Sequence, residues 1–129
     1  AFEQSAFAGA HGGRHGLAAV GYVYVPQACA DGGRCRLHVA LHGCLQSADA
    51  VGDAFVRHAG YTAWAEANAS VVLYPQAAAV TTRLGPLALP WPNPAGCWDW
   101  WGFTGPGYDP RSGAQIQAIA AMIERLAGH

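Results

Sequence analysis

An apolar run cut short by glycine constrains this chain more than any other feature: Arg36-Leu-His-Val-Ala-Leu-His-Gly-Cys-Leu-Gln-Ser47. Leu, Val and Ala fill the run, His42-Gly43-Cys44 ends it, and polar Gln46 and Ser47 follow. A short, continuously apolar segment stopped by a turn signal is the pattern of a central strand in a helix-covered sheet. Backbone N–H groups at the carboxyl end of such a strand lack ladder partners and can face a ligand. Here the N–H of Cys44 falls at that point. The competing interpretation is a buried strand that ends in a glycine turn and meets no ligand.

With 129 residues the chain is one domain at most, yet long enough to bury a core. A hydrophobic fraction of 52% and a charged fraction of 12% exclude a disordered tail. The net charge is −1, lysine is absent and the seven arginines are scattered, so no basic patch exists. Nucleic acid and anionic membrane surfaces are therefore excluded as expected partners. No apolar run approaches the roughly 20 residues needed to span a bilayer. The N-terminus has neither the basic nor the apolar region of a signal peptide, which is expected to have been removed or to lie upstream.

The four cysteines, Cys29, Cys35, Cys44 and Cys97, lack the Cys-x-x-Cys spacing of redox or zinc sites. Cys29 and Cys35 bracket a glycine-rich turn that can bring them within bridging distance. Cys44 and Cys97 would then pair by elimination, closing a loop worth about 4 kcal/mol in the chain-entropy model. Two disulfides imply an oxidising compartment, and hence an extracellular or periplasmic location. Four buried free thiols are the alternative.

Residues 1–16, rich in Gly, Ala and His, are expected to form a flexible segment anchored only by Phe2 and Phe7. His11 and His15 are better read as surface-loop residues than as metal ligands. Leu17 to Pro26 reads as a strand, with β-branched and aromatic residues stopped by proline. It should pair antiparallel with Arg36–His42 through the Cys29–Cys35 turn. His38 and His42, four apart, would share one strand face. Helical texture follows from Asp49 to His58 and again from Tyr61 to Asn68. The compact strand Ser70–Pro75 then completes a βαβ unit with parallel strands.

Residues 76–108 form a long irregular stretch holding four of the five tryptophans, Trp91, Trp98, Trp100 and Trp101. Loops of this length in compact domains are usually functional, and rigid aromatic platforms suit a ligand crevice. The last element is a helix opened by a Ser112-Gly-Ala-Gln115 capping box, with Ile116, Ile119, Ala120, Ile123 and Leu126 as its apolar stripe. Gly128 stands where a C-cap glycine belongs. The pattern is half of a doubly wound α/β sheet, with three to four strands, flanking helices and a Trp-rich loop.

Four segments, Gly21-Tyr-Val-Tyr-Val-Pro-Gln-Ala-Cys29, Leu37–Ser47, Val72-Leu-Tyr-Pro-Gln76 and Asn93-Pro-Ala-Gly-Cys-Trp-Asp-Trp100, stand in a telling order. Together they resemble the extracellular poly(3-hydroxybutyrate) depolymerases of the α/β-hydrolase fold and the related polyester and feruloyl-type esterases. The likeness runs from about residue 17 to the end and looks like the circularly permuted branch, in which the nucleophile-bearing part precedes this one. The resemblance implies that residues 17–129 are the oxyanion-hole and crevice half of an α/β-hydrolase catalytic domain. It makes Cys44 the oxyanion-hole backbone N–H donor and Trp100 a wall of the polymer-binding crevice, with Trp98 and His42 as further substrate-binding candidates. No metal or cofactor is implied.

One departure is large. A serine ester hydrolase needs a Ser on a nucleophile elbow, a His base and an Asp orienter. No Gly-x-Ser-x-Gly occurs, and none of Ser5, Ser47, Ser70 and Ser112 lies in a strand–turn–helix elbow. The expectation is therefore a secreted esterase part acting on short-chain polyhydroxyalkanoate, inactive without its triad-bearing half. A feruloyl- or acetyl-type carbohydrate esterase part, or a non-catalytic Trp-platform polymer-binding module, are the alternatives.

Overall fold

The computed structural model describes residues 1–9 and 15–128 and, within them, all side chains but those at 82–84 and 88–91. Its centre is strand β4 (Ser70–Tyr74), whose Val72, Leu73 and Tyr74 are fully buried. Successive strand side chains point to opposite faces, so a strand with no exposed position must be covered on both. On one face Leu73 meets Leu17, Ala118 and Met122, with Phe2, Phe7, Leu37 and Trp98 packed around them. On the other, Val72 and Tyr74 meet Ala40 and Ala65, with Phe55, Val56 and Tyr61 at the margin. The result is a mixed sheet between two helical layers, an α/β fold.

Strand β3 (Arg36–Val39) lies parallel to β4, with Val39 opposite Leu73, as expected of a βαβ unit. Strand β2 (Val20–Tyr24) lies antiparallel on the other side of β4, with Val23 opposite Leu73. The expected pairing of β2 with β3 is not found. The order is β1-β2-β4-β3, and β4 stands between them. The most apolar strand takes the centre, where both of its faces and both of its edges leave water. The segment between β2 and β3, including helix α1 (Gln27–Ala30) and the Cys29–Cys35 disulfide, must therefore span the width of β4. Gly33 packs too tightly there for a side chain, since a Cβ would lie 2.4 Å from the Ala28 carbonyl oxygen.

Within the segment 1–16 expected to be flexible, residues 2–3 and 5–7 carry regular structure. Phe2–Glu3 form β1 on the edge of β2, and a 3₁₀ turn follows at Ser5–Phe7. Gln4 is fully buried; its amide donates to the Ala18 and Gln76 carbonyls at 2.9 and 2.7 Å and accepts from the Gln76 N–H at 2.8 Å. That bonding replaces the water a buried amide gives up. Of the two anchors named from the sequence, Phe2 and Phe7 do meet, edge to face, 6.0 Å apart.

Between β3 and β4 run α2 (Ala48–Val51), α3 (Ala54–His58) and α4 (Tyr61–Ala67). Gly52, at φ 62° and ψ −140°, splits the first expected helix in two. The segment 76–108 is not wholly irregular. It holds an antiparallel hairpin, β5 (Val80–Leu84) and β6 (Leu87–Asn93), with a register shift at Thr81/Thr82. The described residues thus include six strands rather than three or four.

Helix α5 (Ala114–Ala127) closes the Leu73 face and ends at Gly128, which adopts the left-handed conformation expected of it. Its start differs from the expected capping box. Gly113 is the N-cap, with no side-chain cap bond, and a Cβ there would lie 2.1 Å from the Tyr108 carbonyl oxygen. Its buried stripe is Ala114, Gln115, Ala118 and Met122, while Ile116 and Leu126 face out.

Candidate functional site

The described chemistry gathers at the carboxyl ends of β3 and β4. Strand β3 ends three residues earlier than expected. Ala40 still donates to the Leu73 carbonyl at 2.9 Å, and then the backbone leaves the sheet at Leu41. His38 and His42 consequently part company. The His38 ring packs on Tyr61 and Trp64, and the His42 ring on Phe55 and Trp98.

The turn after His42 is held by its own side chains. The Gly43 N–H donates to Gln46 Oε1 at 2.9 Å, and the Gln46 N–H returns to the Gly43 carbonyl at 3.2 Å. Leu45 donates its N–H to the Ala95 carbonyl at 2.7 Å. Between them, the Cys44 N–H has no partner among the described residues, on a residue that is itself exposed. Leu45 adopts φ 60°, a left-handed conformation that costs a non-glycine residue about 1 kcal/mol or more and persists only where surroundings over-determine it. Two constraints do so here: the Ala95 bond and the Cys44–Cys97 disulfide, whose Cα atoms lie 4.3 Å apart. Both disulfides expected from the sequence are formed, and no cysteine is free.

His42, named from the sequence as a substrate-binding candidate, is buried, at 2% exposed. Its Nε2 accepts from the Ala77 N–H at 3.0 Å, so the ring proton sits on Nδ1, which contacts the Gly43 carbonyl at 2.7 Å. Burial lowers its pKa below the ordinary histidine value, outweighing the Gly43 carbonyl, which raises it. A neutral imidazole with both nitrogens engaged has no capacity left to act as a base.

Trp98 is half-buried. Its indole N–H donates to the His42 carbonyl at 3.0 Å and its ring packs on the imidazole, 5.4 Å between centroids. It props the turn from behind. Trp100 is different: at 72% exposed it is the most open large apolar side chain among the described residues, and it leans edge-on against Trp101 at 5.2 Å. The Trp91 side chain lies outside the described residues, as does His11. His15 Nδ1 accepts the Leu17 N–H at 3.1 Å.

Three residues that sequence reasoning missed hold the Trp loop in place. Asn93, fully buried, bonds both the N–H and the carbonyl of Cys97, at 2.9 and 2.8 Å. Asp99 gathers the backbone N–H groups of Trp101, Gly102, Phe103 and Thr104 and the Thr104 hydroxyl, at 2.5–3.3 Å. Burial pushes the Asp99 carboxyl up, but the Thr104 hydroxyl and the backbone N–H groups of Thr104, Gly102 and Phe103 outweigh it and hold the group below its ordinary value. Gln115, from α5, accepts the Asp99 N–H at 2.8 Å and donates to the His15 carbonyl at 2.9 Å. Of these, Asp99 left a sequence signal: an Asp two to five residues before Trp-Gly-Phe-Thr fits a side chain capping its own turn. Gln76 ties the strand end to the helices, accepting the Ala48 N–H at 2.8 Å.

The serines do not complete a catalytic set. Ser47 is buried at the N-cap of α2, Ser70 donates to the Asn68 carbonyl, and Ser5 bonds Glu3. The assembled parts are an open backbone donor, an exposed aromatic platform, and a disulfide that ties the two segments together.

No family model matches the chain. It is 44% identical over 114 residues to a poly(3-hydroxybutyrate) depolymerase of Delftia acidovorans, a match covering 87% of this chain and 21% of that protein. It is 43% identical over 120 residues to a polyhydroxybutyrate depolymerase of Talaromyces funiculosus, covering 88% of this chain and 34% of that one. Among solved structures it resembles the PHB depolymerase from Penicillium funiculosum, with a TM-score of 0.74, 42% identity, and coverage of 89% and 38%. A serine-to-alanine PHB depolymerase complexed with an R3HB trimer gives a TM-score of 0.75 at 42% identity, covering 90% and 38%. The chain thus spans between 21% and 38% of the length of these relatives.

Proposed function

We propose that this chain supplies the oxyanion-binding and crevice-lining part of a secreted serine carboxylic-ester hydrolase that acts on short-chain polyhydroxyalkanoate. The observation that carries this reading is the unpartnered Cys44 N–H at the carboxyl end of β3, flanked by two engaged neighbours. In acyl transfer the ester carbonyl oxygen gains negative charge in the tetrahedral intermediate, and a fixed backbone donor aimed at it lowers the barrier. Loss of one such donor typically costs about 10²–10³ in kcat. Trp100 would hold the apolar face of a polyester repeat beside that donor, and the Cys44–Cys97 bridge keeps the two in register. The names of the four relatives favour a polyester over a feruloyl or acetyl ester.

The nucleophile, base and orienter would come from sequence outside these 129 residues, in a part that precedes this one. Residues 17–129 would then be one portion of a catalytic domain whose other portion is the chain's natural partner. Two disulfides support an extracellular or periplasmic location. The test is turnover of a short-chain chromogenic butyrate ester. The chain by itself should leave it intact, and the gene product that extends upstream into a Gly-x-Ser-x-Gly elbow should hydrolyse it. A gene whose start and stop codons flank the segment directly, with a product that binds a 3-hydroxybutyrate trimer and never cleaves it, would replace the enzyme with a Trp-platform binding module. The 72% exposure of Trp100 is the observation favouring that second reading.

A further inference from the structure

His42 is the most thoroughly engaged side chain at the end of β3, and its contacts converge on one peptide unit. The Gly43 carbonyl and the Cys44 N–H belong to the same planar amide, and in a trans peptide the two point in opposite directions. Whatever holds that carbonyl inward therefore aims that N–H outward. The carbonyl is held by His42 Nδ1 at 2.7 Å and, more weakly, by the Gln46 N–H at 3.2 Å. The imidazole is held in place, because its Nε2 accepts the Ala77 N–H at 3.0 Å and its ring packs against Phe55 and Trp98. Its own carbonyl is tied down by the Trp98 indole.

We propose that His42 is a positioning residue: in its neutral Nδ1–H tautomer it clamps the Gly43 carbonyl and thereby aims the Cys44 N–H. This rests on the reading of Cys44 as an oxyanion donor, and adds to it the group that sets the donor's direction. A second consequence concerns strength as well as aim. A donor bonded to the carbonyl end of an amide polarises that amide, so its N–H becomes a better donor in turn. The clamp also depends on one protonation state. A proton on Nε2 would face the Ala77 N–H, donor against donor, and the ring would have to leave its seat. The groups facing the imidazole are Phe55 of α3, Trp98 of the Trp loop, the Ala77 amide after β4 and the Gly43 carbonyl. None of them carries a charge that would hold an imidazolium in place.

The experiment is a ¹⁵N NMR titration of the intact protein from neutral to acid pH, with ester turnover measured for two variants. At neutral pH the His42 ring should report a protonated Nδ1 and a bare Nε2, and the Cys44 and Ala77 amide resonances should shift with the imidazole's own midpoint. An Nε2–H tautomer, or a Cys44 amide that stays still while His42 titrates, overturns the proposal. His42→Asn keeps a donor near the Nδ1 position, and His42→Gln places its amide near Nε2 instead. In the ester-cleaving gene product His42→Gln should lower kcat by about 100-fold with little change in KM, while His42→Asn retains most of it. Equal losses in both variants reduce His42 to a packing residue and overturn the proposal. The NMR arm needs no turnover: coupled titration in a protein that cleaves no ester would sink the hydrolase reading and sustain the clamp.

Discussion

At the scale of single residues, the side chains around the Trp loop divide into those that hold backbone and those that face outward. Asp99 belongs to the first group. Its folded-state pKa is depressed, so its contribution to stability is complete above the ordinary carboxylate range, near pH 4, and is lost as pH falls through the folded value. Replacing it with Asn, which cannot accept on both arms, should cost roughly 1–3 kcal/mol at neutral pH. The gap between wild type and Asp99→Asn in urea melts should narrow in acid, and a gap that stays constant down to pH 2 would contradict the assignment. The half-buried Trp98 and the exposed Trp100 should behave oppositely. Trp98→Ala removes packing and the bond to His42 and should destabilise by about 3 kcal/mol. Trp100→Ala should change stability by less than about 0.5 kcal/mol and instead weaken retention of a 3-hydroxybutyrate trimer. Paired melting and binding curves separate the two. The glycine turn at Cys44 and the tryptophan cluster around Trp100 were legible in the sequence, because both are local patterns. Gln115 and Gln4 were not, because their amides bind backbone 72 to 100 residues away, and only the fold brings that backbone near.

At the scale of elements, β4 and the parallel β3 were read correctly because burial on both faces imposes a run of Val, Leu and Tyr. The β5–β6 hairpin was hidden by its prolines. Pro90 and Pro92 sit in β6, and a two-stranded ribbon tolerates them because each strand has one side without a partner. Helix α5 was placed, but its expected stripe holds only in part: Ile123 packs against the core, whereas Ile116 and Leu126 face out. Counting the larger apolar residues favoured Ile116 and Leu126, whereas the sheet accepts the smaller Ala114 and Ala118 with Met122 between Leu17 and Leu73. The helix sits close because alanine lets it. Met122→Ala should therefore cost about 2–3 kcal/mol in chemical denaturation, and Ile116→Ala about a tenth of that. A reversed order would mean that the helix packs on its other side.

At the scale of the whole molecule, the strand order is what the sequence concealed, since β2 and β3 are neighbours in the chain but flank β4 in space. The order leaves β3 with one strand partner among the described residues, and Leu41 and Leu45, which follow it, stand exposed. An unpaired, apolar sheet edge invites pairing with other chains. Sedimentation of the 129-residue chain should accordingly show concentration-dependent association, and a strictly monomeric species across the accessible range would count against it. The Cys44–Cys97 bridge has a further effect on the molecule's covalent continuity. It joins cysteines 53 positions apart, and the loop it closes holds α2, α3, α4, β4 and the exposed β5–β6 turn at Gly85-Pro86-Leu87. A protease that cuts this turn would break the polypeptide without releasing either piece. The nicked protein should migrate as one band without reductant and as two with it, so cleavage there would go unseen until the cystine is opened.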